Sequence, residues 1–418
     1  MSARGEPLSR TEAWTLVAAA SLAMALSFVD RQAFSVLAPT VTKALGISDA
    51  TYGWLGSAFS IAYLLAGAFA GLLVDRFGAR RTLPVAILVW SVVAGLHSAV
   101  PAVGAVGTLV VLRLALGVSE SPSFPASVQI VQRVLPRADR ARGISTVLVG
   151  TSIGAMIAPP IAIALATRFT WRAGFVGTAA VAVLWLPPWL LLSRRPRARA
   201  ALDAHPEAGR TARRIEAASH PAMLRGLVGL VAVVPASAFA QAWEAKFYVR
   251  QFGLVQADLA SYLVVSAVVY DAGALLFGDL ASRRARRRGP LDHSPPRLLF
   301  TCAALLVALG MVVLALAPSP LVALVGMSVA GAGRGAAMAL VVSDTVARMP
   351  QQLVSGSGGV IASVQSLGAI VVNPLVGSVV QHHGYGVVIL SLAAWVVPGC
   401  AAWLVWRPPE PEGSSSAP

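Results

Sequence analysis

The sequence predicts an all-α membrane protein of twelve transmembrane helices, arranged as two six-helix halves. Three observations carry this reading. Of 418 residues, 56% are hydrophobic and only 12% charged, with a mean hydropathy of +0.72; soluble domains carry about twice that charged share. Apolar runs long enough to cross about 30 Å of hydrocarbon recur along the whole chain. A loop pattern found after the second run, GLLVDRFGARR, returns six runs later as GDLASRRARRR, and such an internal repeat is the sign of a two-half carrier with its cavity between the halves. The even spacing and the absence of strand alternation weigh against a barrel.

In order, the spans read as Trp14–Ala38, Tyr52–Val74, Leu83–Val100, Val106–Val131, Ile144–Ala166 and Ala173–Leu192. After the longest polar gap come Ala222–Phe247, Leu259–Leu280, Leu298–Ala317, Leu321–Val346, Val360–Val380 and Val387–Trp406. The first is a retained helix: it is too long for a cleaved signal, and Asp30-Arg31 interrupts it. Residues 1–193 thus form the amino-terminal half, 194–221 a cytoplasmic linker, 222–407 the carboxyl-terminal half and 408–418 a disordered tail. The linker reads either as disordered and basic or as holding a short surface helix.

Charge sets the orientation. With the amino terminus in the cytoplasm, the inner loops hold Arg76, Arg80, Arg81, Arg133, Arg137, Arg140 and Arg142, the run Arg194 to Arg225 and the cluster around Arg286. The outer loops hold only Lys43, Arg168, Arg172, Lys246 and Arg250. The bias places both termini in the cytoplasm, in a cell (inner) membrane. The net charge of +15 is therefore loop charge, with no aromatic interleaving, and nucleic acid is not an expected partner. Cys302 and Cys400 have neither metal nor disulfide spacing and read as small hydrophobes. GAGRGAA (331–337) resembles a nucleotide loop superficially, but it lies inside an apolar helix; small residues for close helix packing explain it better. No cofactor and no metal are expected.

Ionisable residues inside spans cost roughly 2.5–3.5 kcal/mol each on insertion scales, so those that are kept mark a function. Asp30 and Arg31 stand side by side in the first span, and Arg113 and Glu120, seven apart, project from one face of the fourth with Gly117 between them. Read as two acid–base pairs, Asp30–Arg31 and Arg113–Glu120, they point to a proton-coupled carrier of an anion. An arginine stays charged and grips a carboxylate with a forked bond; a carboxylate balanced between desolvation and a guanidinium can load and release a proton. The alternative is a pair of static bridges that order the helices.

In the repeated loop, Gly71 permits close approach, and Asp75 pairs with an arginine or caps a neighbouring helix. Gly78 permits a tight turn, and Arg80 and Arg81 anchor at headgroups, with Arg76 beside them. In the second copy Asp279 stands one turn before Ser282, where an acid would be expected. Tyr270 and Asp271 lie mid-span in the eighth helix. Glu244 and Lys246, near the outer end of the seventh, read as an outer-loop ion pair. Trp243 reads as a ring-stacking residue or a headgroup anchor. Gln365, Ser366 and Asn373 can line a cavity or bond to their own helix. Arg334 is either a second-half anion contact or a partner of Asp344 or a carbonyl. His97, His382 and His383 sit near span ends and read as interfacial; Pro159 and Pro160 should kink the fifth span.

GLLVDRFGARR resembles the signature cytoplasmic loop of the major facilitator superfamily. Within it, FVDRQAFSVLAP, RLALGVSESPSFPASVQIVQRVLPRADRARG and GTSIGAMIAPPI are similar to the sugar-acid branch of the anion:cation symporters, notably hexuronate carriers. The likeness continues more weakly through WEAKFYVRQFGL, VVYDAGALLFG and LVVSDTV. It implies anion binding and charge coupling at Arg31 and Arg113 and proton coupling at Asp30 and Glu120, and it matches Trp243 to a family aromatic and Tyr270-Asp271 to an acid of a family motif. With the polar residues of the eleventh span, the expected substrate contacts are Trp243, Tyr270, Gln365, Ser366 and Asn373, and gating or structural roles are expected for Asp75, Arg76, Gly78, Arg80, Asp271 and Asp279. The chain departs from that branch in places. Ser119, Ser121, Pro122 and Ser123 surround Glu120 where the branch has Gly, Ala, Gly and Asn, Gln129 stands for a lysine, and Leu148 and Ser152 stand for asparagines. Val234 replaces an acid before Pro235. Asn373 is the sole asparagine. Asparagine reads vicinal hydroxyls well because one side chain both donates and accepts, so the expected substrate is less hydroxylated than a hexuronate: a monocarboxylate, aromatic or short organic acid.

The expectation is secondary active uptake of a small organic anion by proton symport (or sodium) through alternating access, in a monomer surrounded by the lipid bilayer. A proton-coupled exporter of drugs or metabolites is the alternative on the same fold. A non-transporting membrane sensor is the alternative of another class, disfavoured by the short stretch after the last span. No enzyme constellation is present.

Overall fold

The structure, a computed structural model, describes residues 8–203, 216–288 and 295–406, and among these every regular element is helical. The order is α1 (Arg10–Ala44), α2 (Asp49–Phe77), α3 (Ala79–Leu96), α4 (Ala105–Glu120), α5 (Ser123–Val134), α6 (Arg140–Arg168), α7 (Trp171–Val183), α8 (Leu186–Ser193) and α9 (Pro196–Asp203). There follow α10 (Pro221–Phe252), α11 (Leu259–Arg288), α12 (Arg297–Ala315), α13 (Pro320–Ala347) and α14 (Gln351–Val405). Ten spans are long and apolar enough to cross a membrane, and α2, bent by 52° between Gly67 and Phe69, makes eleven. Gly384, at φ 77° inside α14, interrupts the helical backbone and separates the expected eleventh and twelfth spans.

Local chemistry explains the boundaries. α1 starts at a capping box between Ser9 and Glu12. The expected fourth span is two helices: α4 ends at Glu120 and α5 starts at Ser123, because Pro122 cannot donate the helical N–H. Pro187 and Pro188 open α8 after a break in the sixth span. Pro159 and Pro160 lie inside α6, which runs unbroken from Arg140 to Arg168.

The chain forms two compact units. The first is 1–207 with 254–264, the second 208–253 with 265–418; the start of α11 thus groups with the first unit, where Gln256 donates to the Val36 carbonyl and accepts from Thr40. In the first unit α1 packs on α5, α6 and α7, and α2 on α4. Leu16, Val17, Met24, Leu83, Ile87, Trp90, Ile130, Trp185 and Trp189 belong to its core. The stacked indoles of Trp185 and Trp189 donate to the carbonyls of Ala19 and Arg80. In the second unit α10 packs on α13 and α14, and α12 on α13 and α14, with Phe300 against Trp403 at 4.1 Å. α9 supplies the short helix expected in the linker and buries Ala198 and Leu202 in the first unit's core. The rest of that linker, 204–215, and the tail expected to be disordered, 408–418, lie outside the described residues.

Candidate functional site

Helix geometry re-pairs the four charges of the first unit. Asp30 and Arg31 are neighbours in sequence, so they leave α1 on different faces; Arg113 and Glu120 are separated by about 10.5 Å of helix rise. Neither expected pair forms. Arg31 instead crosses to Glu120, Nη2 to Oε2 at 3.0 Å, with Ser27 donating to the same oxygen at 2.9 Å. The guanidinium lies over the rings of Phe28, Phe59 and Tyr63 at 4.7–4.9 Å. Asp30 accepts from the Trp90 indole at 3.2 Å.

Arg113 is held differently. It is 4% exposed, its guanidinium lies over Phe34 at 4.3 Å and Phe59 at 5.1 Å, and its Nε and Nη1 have no hydrogen-bond partner. Cation–π contact offsets part of the desolvation, but a buried guanidinium with open donors remains costly. Glu120 Oε1, also buried, likewise lacks a partner. Glu120, Asp30 and Arg113 are closed off from solvent, while the Arg31 side chain is 21% exposed. Gly117 has a packing role: a Cβ there would run into the Phe59 carbonyl oxygen, so only glycine lets α4 approach α2 this closely.

At the other end of α2, Gly78 adopts φ 78°, which favours glycine and joins α2 directly to α3. Gln129, fully buried on α5, clamps this turn: its carbonyl accepts from the Ala79 N–H at 2.8 Å, and its amide donates to the Val74 carbonyl and Asp75 at 3.3 Å. Asp75 therefore meets an amide. Arg80 does not extend to headgroups; it grips Asp203 of α9 with a forked pair at 2.8 and 2.9 Å, because α9 folds back beneath it. That hydrogen-bonded guanidinium holds the Asp203 carboxyl below its ordinary range. Arg133 donates to the Leu202 carbonyl beside it. Arg76 is exposed.

The second unit revises several further expectations. Glu244 and Lys246 are not an outer-loop pair: two residues apart, they face opposite sides of α10, and both are buried. Glu244 accepts from Ser266 of α11 at 2.6 Å. Lys246 lies over Trp243 at 5.8 Å. Trp243 is fully buried inside the protein and donates to Asn373 at 3.3 Å. Ser366 bonds to its own helix at Ala362, whereas Gln365 is exposed. Tyr270 and Asp271 are half-buried, and the Tyr270 ring lies under Arg334 at 5.5 Å. Asp344 is taken by Arg225 and by Arg348 at 3.1 Å, not by Arg334. Asp279 forms an exposed pair with Arg283 at 2.6 Å. His97 is buried, its ring 5.3 Å from that of Phe175.

Sequence reasoning named Glu244, Gln129 and Asp344 but not their partners, and it missed the Arg225–Asp344–Arg348 cluster. A charge inside a span was already the signal that singled out Asp30, and it applies equally to Glu244; nearness to a span end obscured it. Gln129 stood out only as the replacement of a lysine, with no signal of the turn it clamps. Among the described residues no group of three metal-ligating side chains occurs.

A family model described as Major Facilitator Superfamily matches residues 20–373, and the chain belongs to that superfamily. It is 30% identical over 184 residues to the hexuronate transporter of Escherichia coli (strain K12), covering 44% of this chain and 42% of that protein. The chain therefore spans less than half the length of the hexuronate relatives it matches. It is 24% identical over 405 residues to a D-galactonate transporter of Escherichia coli O6:H1, covering 92% and 93%. A probable galactarate/D-glucarate transporter of Bacillus subtilis is 25% identical over 89% of this chain. Among solved structures, a bacterial homolog of the human lysosomal transporter Spinster aligns over 96% of this chain and 100% of its own with a TM-score of 0.80 at 18% identity. The nucleoside transporter NupG aligns with a TM-score of 0.72. The two structures share the fold.

Proposed function

We propose that this member of the major facilitator superfamily is a secondary carrier of a small organic anion, which it takes up by proton symport through alternating access. One observation carries the reading: Arg113 is a buried guanidinium with two open donors, next to a bridge whose acid, Glu120, has one open oxygen. A substrate carboxylate is the natural partner for those donors. Protonating Glu120 removes the charge that holds Arg31, so proton loading and release of Arg31 are one event. Arg31, the partly exposed member, is then free to meet the incoming anion, and Arg113 holds it. Asp30, bonded to Trp90, is a second candidate proton carrier. Tyr270, Gln365 and Ser366 are the candidate contacts of the second unit, with Trp243 and Asn373 bracing them.

The names of the relatives support an anionic sugar-acid or related carboxylate. The missing asparagines favour a monocarboxylate, aromatic or short organic acid. We assign the carrier to the inner membrane as a monomer with cytoplasmic termini. Reconstituted protein under an imposed inward proton gradient tests this: accumulation of a carboxylate from an organic-acid panel is expected, dependent on Arg113. Net efflux under the same gradient would favour the exporter, and glucuronate uptake matching that of a hexuronate carrier would overturn the narrower substrate class.

A further inference from the structure

The second unit holds a charge constellation outside the site described for the first. Arg334 stands in the middle of α13 and is 4% exposed, and its Nε has no hydrogen-bond partner. Among the described residues no carboxylate reaches ion-pair distance of it. Its guanidinium lies over the Tyr270 ring at 5.5 Å. Glu244, 6% exposed on α10, accepts from Ser266 at 2.6 Å, and the Ser266 carbonyl oxygen lies 3.5 Å from where a Cβ on Gly331, one turn before Arg334, would sit. The backbone around Arg334 is packed by glycine: a Cβ on Gly335 would strike the Tyr270 carbonyl, which fixes α13 against α11. The cation is therefore held rigidly, on packed helices, with a donor left unmade. A purely structural arginine in this unit looks different: Arg225 donates to Asp344 and to the carbonyls of Trp403 and Trp406.

We propose that Arg334 is a second anion-binding centre, which takes a carboxylate of a small organic acid, with Glu244 as the resident charge that moderates it. The ligand carboxylate accepts from the open guanidinium donors, and Tyr270 supports the guanidinium from its ring face. Glu244 keeps the empty site near neutral and repels the bound anion, which limits affinity and favours release. The assignment deepens the reading of the chain as an organic-anion carrier and rests on it.

The experiment is calorimetric titration of the purified full-length protein with D-galactonate, D-glucarate and the less hydroxylated lactate and benzoate, alongside Arg113→Gln, Arg334→Gln and Glu244→Gln. Arg334→Gln is expected to weaken binding at least tenfold, and Glu244→Gln to tighten it several-fold with Arg113 intact. A folded Arg334→Gln protein with unchanged affinity overturns the proposal. If that variant does not fold, Glu244→Gln decides: a merely structural counter-ion lowers Tm when neutralised and leaves affinity unchanged or weaker, and that result overturns it too. Loss of binding in Arg113→Gln alone removes only the second centre. Binding indifferent to both arginines, or no binding of any of the four probes, removes the organic-anion reading with it.

Discussion

The two units treat their buried acids in opposite ways. In the first, Glu120 is tied to an arginine that is partly exposed, and a second arginine, Arg113, is left with open donors. In the second, the acid bound to arginine is Asp344, clasped by Arg225 and Arg348 in a cluster near the ends of α10 and α13, while the mid-helix acid Glu244 holds only a serine. A carboxylate bridged to a movable arginine converts one proton into a rearrangement. A carboxylate on a hydroxyl changes only the local field. On the proposed reading, proton coupling belongs to the first unit, and the second supplies a fixed electrostatic environment.

The largest effect expected from breaking this contrast is at Arg113. Arg113→Ala removes charged hydrogen bonds worth about 1.5–3 kcal/mol each and is expected to abolish ligand-induced thermal stabilisation and uptake. Unchanged stabilisation would take Arg113 out of the site. Glu120→Gln keeps the shape and removes the titrating group, so it is expected to preserve counterflow exchange and eliminate pH-driven accumulation. Accumulation at wild-type level would move coupling to Asp30 or to the second unit.

Asp344→Asn tests the second half of the contrast. It leaves two buried arginines without a counter-charge, and breaking such a cluster costs about 3–5 kcal/mol. A large fall in Tm with an unchanged pH dependence of transport is expected. A shifted pH dependence with little loss of Tm would make this cluster a coupling element. Gln129→Ala, by removing a buried clamp on the α2–α3 turn, is expected to cost about 1–3 kcal/mol.

The contrast also marks what the sequence could convey. The spans were legible because hydropathy is a property of contiguous residues, and four charges inside the spans of the first half stood out because charge in an apolar run is local information. Their pairing was not legible. Arg31 meets Glu120 across 89 positions, and only the packing of α1 against the end of α4 brings them together. The same holds for Glu244 with Ser266 and for Arg225 with Asp344. The break in α4 was written in Pro122, whereas the docking of α9 was hidden because eight residues with a polar composition give no packing signal until Ala198 and Leu202 find the core. Trp243 matched a surface role by its position near a span end; its burial depends on Asn373, which lies 130 residues away.

The smallest expected effect sharpens the comparison of the repeated loops. In the first copy Arg80 reaches out of the repeat and grips Asp203 of α9, whereas in the second Asp279 pairs with Arg283 one turn along its own exposed helix. The first tethers the linker, whereas the Asp279–Arg283 pair stays within α11. The Asp203 side chain is about a third exposed, so water screens the pair and its worth is about 0.2–1 kcal/mol. Its carboxyl is held below the unfolded value of about 3.9, so the stabilisation is complete above that value and fades as pH falls through the lower folded value. Asp203→Asn is therefore expected to lower Tm by a degree or less at neutral pH and to flatten only the acid limb below about pH 4. Proteolysis in the linker should accelerate in this variant, because α9 loses its hold on Arg80. Asp279→Asn should leave both readings unchanged. Equal linker cleavage in the two variants would mean that Ala198 and Leu202 alone keep α9 docked, and that the two loops differ in sequence without differing in what they hold.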